Sequence, residues 1–152
     1  DKYDNIRIGM NSRLDTIQAA VLLEKIKFFD EEIAKCNWVA EEYTKYLYNF
    51  VKVPLIKEGM YSSWAQYTIC FRNNKERKQA MLVLKEHNIP TAVYYRKPMH
   101  MQRAFKGYSV GEFDYEVTEK ICNRCLSLPL HPYMDFNDIM RISGEIKQFL
   151  LH

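Results

Sequence analysis

Residues 9–23 read GMNSRLDTIQAAVLL, and the change of character within them governs how the rest of the chain is read. Gly9, Asn11 and Ser12 are small or polar, whereas Ala19 to Leu23 carries no polar side chain over more than one helical turn. Ser12 followed three residues later by Asp15 resembles a capping box, so a helix is expected to open there. Leu14, Ile17, Val21, Phe28 and Ile33 keep helical spacing, and the pattern runs on through Trp38, Val39 and Tyr43 to about Phe50. This predicts one long helix, or two with a bend near Asp30. A helix that is apolar on nearly every side needs cover from more than one direction. One small domain seldom supplies that cover, so an interface is expected along this helix.

The chain has 152 residues, enough for one domain with its own core. With 47% hydrophobic and 27% charged residues it belongs with globular proteins, not with disordered or collagen-like ones. A net charge of +3, with basic and acidic residues interspersed, argues against a nucleic-acid partner. No apolar run is long enough to predict a bilayer span and no export segment is evident, so the expectation is a cytoplasmic protein without a membrane partner. The chain opens at Asp1, without methionine and close to a capped helix, which is expected of a piece of a longer chain.

Downstream, VKVPLI (51–56) is a short extended piece with a proline, and WAQYTICF (64–71) is rich in aromatic and β-branched residues and predicts a strand. Asn73 and Asn74 cap a helix from about Lys75 to His87, closed by Asn88 and barred from continuing by Pro90. TAVYY (91–95) predicts another strand, followed by a long loop, RKPMHMQRAFKGYSVGEF. A helix from about Phe113 to Leu126 leads into SLPLHPYM, a short extended piece, and Asp135 caps a last helix over about 136–150. The order predicts an α/β protein, more narrowly an α+β domain: a small sheet covered by helices at residues 51–152, preceded by an interface helix region at residues 1–50.

Of four cysteines, Cys122 and Cys125 alone have a Cys-x-x-Cys spacing. A structural zinc needs four ligands and no second matching pair is present, and a thioredoxin-like pair should open a helix where this one closes one. Two half-buried helix thiols are the preferred reading, and no metal site is assigned.

Two stretches carry chemistry. A helix N-terminus offers unpaired N–H groups and a positive dipole end, and with Gly9, Asn11 and Arg13 it could cradle a phosphate. On the residues alone, a plain cap and a solvated arginine explain it as well or better. In AVYYRKPMHMQ (92–102), Tyr94 and Tyr95 can stack on a base or sugar ring, and Arg96 and Lys97 can pair with a diphosphate. Solvated cations and one core-facing tyrosine are again the plainer alternative, as is a structural role for His100 and His131. No set of serine, histidine and aspartate, paired acids or glycine-rich phosphate loop can be assembled.

Four blocks, GMNSRLDTIQAAVLLEKI, SSWAQYTI, IPTAVYYRKPMHMQRAF and LSLPLHPYM, resemble in order and separation the C-terminal part of the DegT/DnrJ/EryC1/StrS aminotransferases. The resemblance implies the C-terminal domain of a fold type I transferase dependent on pyridoxal phosphate, with a small, mostly antiparallel sheet. It implies a homodimer that moves an amino group, with glutamate the expected donor, to a nucleotide-linked keto sugar for polysaccharide or glycan precursors. By resemblance, Gly9 and Asn11 meet the cofactor phosphate of the neighbouring subunit, and Arg13 approaches the sugar nucleotide. Tyr94, Tyr95 and His100 would line the nucleotide-sugar pocket. The family's lysine that carries the cofactor, and the aspartate on its pyridine nitrogen, lie upstream of the matched region, so no catalytic residue is assigned in this chain and it is expected to be inactive alone. Competing readings are a dehydratase of the same family, a non-catalytic ligand- or RNA-binding α+β module, and a regulatory domain that dimerises through the apolar helix. The strands lack the glycine-containing aromatic motif of an RNA-recognition sheet.

Overall fold

The computed structural model describes residues 4–108 and 114–151. Residues 4–15 have no regular structure, and the first helix, α1 (Thr16–Lys25), opens on Asp15, not on Ser12. Asp15 Oδ1 accepts the Gln18 N–H at 2.8 Å, whereas the Ser12 hydroxyl reaches only the Arg13 carbonyl, at 3.4 Å. The capping partner is therefore the second polar residue of the expected box, with Gln18 at the third helical position.

A 3₁₀ turn at Ile26–Phe28 separates α1 from α2 (Phe29–Leu47), so the two-helix alternative is realised, with the bend just ahead of Asp30. The two helices differ sharply in surroundings. No residue of α1 is buried, while α2 buries Ile33, Cys36, Val39, Ala40, Tyr43 and Leu47 at helical spacing. Leu22, Leu23, Ile26 and Phe28 are all more than half exposed, at 51%, 67%, 68% and 61%.

Strand β1 (Tyr67–Cys70) pairs antiparallel with β2 (Cys125–Leu128), with Tyr67 opposite Leu128 and Cys70 opposite Cys125. The other two extended pieces contribute single antiparallel bridges, Lys52 to Cys70 and Ala92 to Ser127. Pro54 has no N–H to extend the first, and the chain turns at Tyr94 to end the second, so the expected strands at 51–56 and 91–95 shrink to one pair each.

Helix α3 (Asn74–Glu86) starts where Asn73 Oδ1 accepts the Glu76 N–H at 2.9 Å. It stops at Asn88, whose φ of +57° is left-handed, and the Ile89 N–H returns to the Leu84 carbonyl at 2.8 Å. Helix α4 (Glu116–Arg124) ends before the expected Leu126, because Cys125 is already extended and pairs with β1. The expected start at Phe113 lies outside the described residues. Helix α5 (Phe136–Leu151) follows Asp135, whose carboxylate accepts the Asp138 N–H at 2.8 Å.

The core lies between the sheet and helices α2, α3 and α5, built on Val39, Tyr43, Ile69, Leu84, Leu126 and Ile139. The buried polar groups of Tyr43 and Trp64 are paired, while the Ser143 hydroxyl of α5 has no partner among the described residues. Tyr43 donates to the Pro129 carbonyl at 2.9 Å, and the Trp64 ring N–H donates to Asn37 Oδ1 at 2.9 Å. This packing fixes β2 and the Ala92 bridge, and with them the point at which the chain leaves the sheet toward Tyr94.

Candidate active site

Val93 is buried and the next residue, Tyr94, begins a turn, so the two tyrosines emerge at the sheet edge. Their rings meet edge to face, 5.7 Å between centroids. The Cys125 thiol lies 3.9 Å from the Tyr94 carbonyl, which ties the turn to β2. Beyond it, Pro98 leads into 3₁₀ turns at Met99–Met101 and Arg103–Phe105. Between this loop and α4 lies a cleft of about 740 Å³, bordered by Tyr94, Tyr95, Lys97 and Gln102 on one side and by Thr118 and Ile121 on the other.

Lys97 brings a positive charge to this cleft, with Nζ 2.9 Å from Asp4 Oδ1. That hydrogen bond, with the nearby Arg103 guanidinium, holds the Asp4 carboxyl below its ordinary range. The arrangement suits a ligand with a flat ring and an anionic group: aromatic faces, one anchored ammonium, and an apolar wall from α4.

The sequence-derived residues separate into three places. Tyr94 and Tyr95 share the cleft. His100 is directed to α4, where its Nε2 lies 3.0 Å from Glu119 Oε1 and its ring stacks on Tyr115 at 4.5 Å, and it is not among the residues that border the cleft. Gly9, Asn11 and Arg13 are exposed in the segment ahead of α1 and also stand outside the cleft's border. Asn5 and Gln102 were not anticipated as site residues. They meet across ninety-seven positions of sequence, a separation at which local pattern carries no signal. Cys122 borders the cleft while Cys125 is buried in β2, and burial is the chief cause raising both thiols above their ordinary pKa.

Residues 1–147 match the DegT/DnrJ/EryC1/StrS aminotransferase family. The chain belongs to that family. A curated relative, the UDP-2-acetamido-2-deoxy-3-oxo-D-glucuronate aminotransferase of Pseudomonas aeruginosa, is 42% identical over 146 residues, which cover 95% of this chain and 39% of the relative. The crystal structure of a family aminotransferase from Brucella abortus superposes with a TM-score of 0.85 at 45% identity, over 97% of this chain and 39% of that one. NtdA from Bacillus subtilis, solved with the bound cofactor PMP, superposes with a TM-score of 0.78 at 25% identity, over 97% of this chain and 35% of that one. The chain therefore spans about two fifths of the length of the relatives it matches. Its helices and small antiparallel sheet are the C-terminal part of the fold type I transferase architecture.

Pyridoxal phosphate is the cofactor of this family. The chemistry of the donors ahead of α1 suits a phosphate. The Asn11 amide has no hydrogen-bond partner and Arg13 no ion pair among the described residues, and both are exposed in the irregular segment that precedes Asp15, the cap of α1.

Proposed function

We propose that this chain forms the substrate-facing small domain of an aminotransferase that moves an amino group, with glutamate as donor, onto the keto group of a nucleotide-linked sugar. The observation that carries this reading is the cleft where Tyr94, Tyr95 and Lys97 converge, on a chain that matches a sugar-aminotransferase family over nearly its whole length.

Pyridoxal phosphate, when bound, supplies the electron sink through which the amino group is exchanged. Asn11, with close backbone approach at Gly9, would hold its phosphate in the neighbouring subunit of a homodimer. Arg13 would pair bidentately with a phosphate of the sugar nucleotide. Tyr94 and Tyr95 would hold the nucleotide's rings by their faces, and Lys97 would neutralise part of the diphosphate charge. His100, already bonded to Glu119, would support the loop that carries the two tyrosines from the α4 side. Such an enzyme would act in the cytoplasm on precursors of polysaccharides or other glycans.

The test uses the full-length enzyme with pyridoxal phosphate, glutamate and a UDP-linked 3-keto sugar. The reading requires 2-oxoglutarate and aminated sugar nucleotide in equal amounts by mass spectrometry. A dehydrated sugar without 2-oxoglutarate, or no turnover with any nucleotide keto sugar, would overturn it.

A further inference from the structure

Residues 4–15 carry the glycine, asparagine and arginine assigned above, yet they have no secondary structure and run exposed along the surface. Their tie to the body is made at one end. The Ala104 N–H donates to the Asn5 carbonyl at 2.9 Å, Asp4 pairs with Lys97 and lies 3.5 Å from Arg103, and Asn5 meets Gln102.

Gln102 differs from the other partners in being buried, at 5% exposure. Its Oε1 accepts from the Asn5 side-chain amide at 2.8 Å and from the Asn5 backbone N–H at 3.4 Å. Its own amide donates to the Lys97 carbonyl at 3.3 Å. One side chain thus takes the backbone and side-chain donors of Asn5 at its oxygen and bonds the tyrosine loop through its nitrogen. A primary amide does both at once from two separate atoms, whereas a carboxylate has no donor and an ammonium no acceptor.

We infer that Gln102 is a positioning residue that sets the Gly9–Arg13 segment in register with the Tyr94–Lys97 loop, so that the cofactor-phosphate contact and the nucleotide-sugar contact are held by one buried amide. The inference rests on the proposed roles of those two segments. Because Gln102 is buried and its polar atoms are paired within the protein, it acts through Asn5 and Lys97 and has no need to touch substrate.

The experiment uses the full-length enzyme and the variants Gln102→Leu, Asn5→Ala and the double variant. Hydrogen exchange of the Asn5 and Ala104 backbone amides, which bond to Gln102 and to the Asn5 carbonyl, is followed by mass spectrometry, alongside cofactor retention on dialysis and the separate KM values for sugar nucleotide and amino donor. The expected result is exchange roughly tenfold faster at these two amides in each single variant, the weight of one to two neutral hydrogen bonds. The double variant should be no faster than the faster single, because both changes remove the same contact. Cofactor should be lost sooner and the sugar-nucleotide KM should rise, with the donor KM held. Unchanged exchange with only a lowered melting temperature would overturn the inference, as would additive effects, or faster exchange with unaltered cofactor retention and KM. Asn5→Ala, at an exposed position, keeps the test available if the buried substitution does not fold. Asn11→Ala serves as the separate control: if it leaves cofactor retention unaltered, the assignment of the segment falls, while the exchange data still judge the tether.

Discussion

Thr44 Oγ1 lies 2.8 Å from Tyr67 Oη, and this hydroxyl pair, from α2 to β1, is the polar contact of a tyrosine that is otherwise wrapped in core. Burial pushes the Tyr67 phenol up to about 12 from an ordinary value near 10.0, with the Thr44 bond working in the opposite direction. Burial raises Tyr43, whose ring lies 5.1 Å away, as well. A pKa raised in the folded state means that the unfolded chain loses its phenolic protons first. The stability these neutral phenols contribute is complete below about pH 10 and is lost as pH climbs toward 12. The Cys122 and Cys125 thiols, which burial also raises, begin a loss near pH 9. Above about pH 10 urea midpoints should fall more steeply as the phenols join them, and Tyr67→Phe should flatten that second fall while lowering the midpoint at neutral pH. A midpoint independent of pH up to 12 would contradict the burial of these hydroxyls.

Arg77 sits in α3 at 7% exposure without a carboxylate partner among the described residues. Its Nη2 donates to Asn74 Oδ1 at 2.7 Å and its Nη1 reaches only the Met81 sulfur at 3.6 Å, while Nε has no partner. Desolvation of the guanidinium, the first cause of its lowered pKa, opposes the fold here. Arg77→Met, similar in length and without charge, should raise the chain's unfolding free energy by about 1 kcal/mol or leave it level. A loss of more than about 1 kcal/mol in denaturant titration would mean that this cation meets an anion in the assembled protein.

What could be read in the sequence divides by the range of the interactions involved. Helix α3 announces both of its ends locally, through the Asn73 cap and the left-handed Asn88. The join of α4 to β2 gives no such notice: the chain passes from helix at Arg124 to strand at Cys125 without a glycine or proline, and pairing with β1 decides the change. The cleft's tyrosines stand out by composition, while the Asn5 and Gln102 contact is set by folding alone. The surroundings of His100 were likewise hidden, since Glu119 and Tyr115 come to it from beyond a long loop.

Arg13 and Tyr95 give the substrate assignment its direct check. Losing a charge-assisted contact to a phosphate is worth about 1.5–3 kcal/mol, so Arg13→Ala should raise the sugar-nucleotide KM of the full-length enzyme by about tenfold to a hundredfold. Tyr95→Ala, which removes the ring face, should raise it about threefold to tenfold, whereas Tyr95→Phe, which keeps the face, should leave it nearly level. The amino donor has no nucleotide to contact, and its KM should hold in every variant. Equal losses for both substrates in steady-state kinetics would remove these residues from the nucleotide-sugar site.

Helix α1 presents an apolar surface to solvent. Ile17, Val21, Leu22 and Leu23 are exposed around the helix, Ile26 is exposed in the turn that follows, and no residue of α1 is buried. Covering even two leucine-sized side chains yields roughly 3–6 kcal/mol, before the cost of ordering two partners is set against it. In a homodimeric enzyme, the remainder of the protein and the second subunit would supply that cover. Prepared by itself, the 152-residue chain should therefore self-associate through α1 as concentration rises. Leu22→Glu should shift the chain toward monomer, because a carboxylate at the contact would have to be desolvated without a partner. Sedimentation velocity over a concentration range, with parent and variant side by side, reads both effects. A compact monomer at every concentration, indifferent to the substitution, would mean that the apolar helix face needs no partner and that the interface reading of residues 16–29 is wrong.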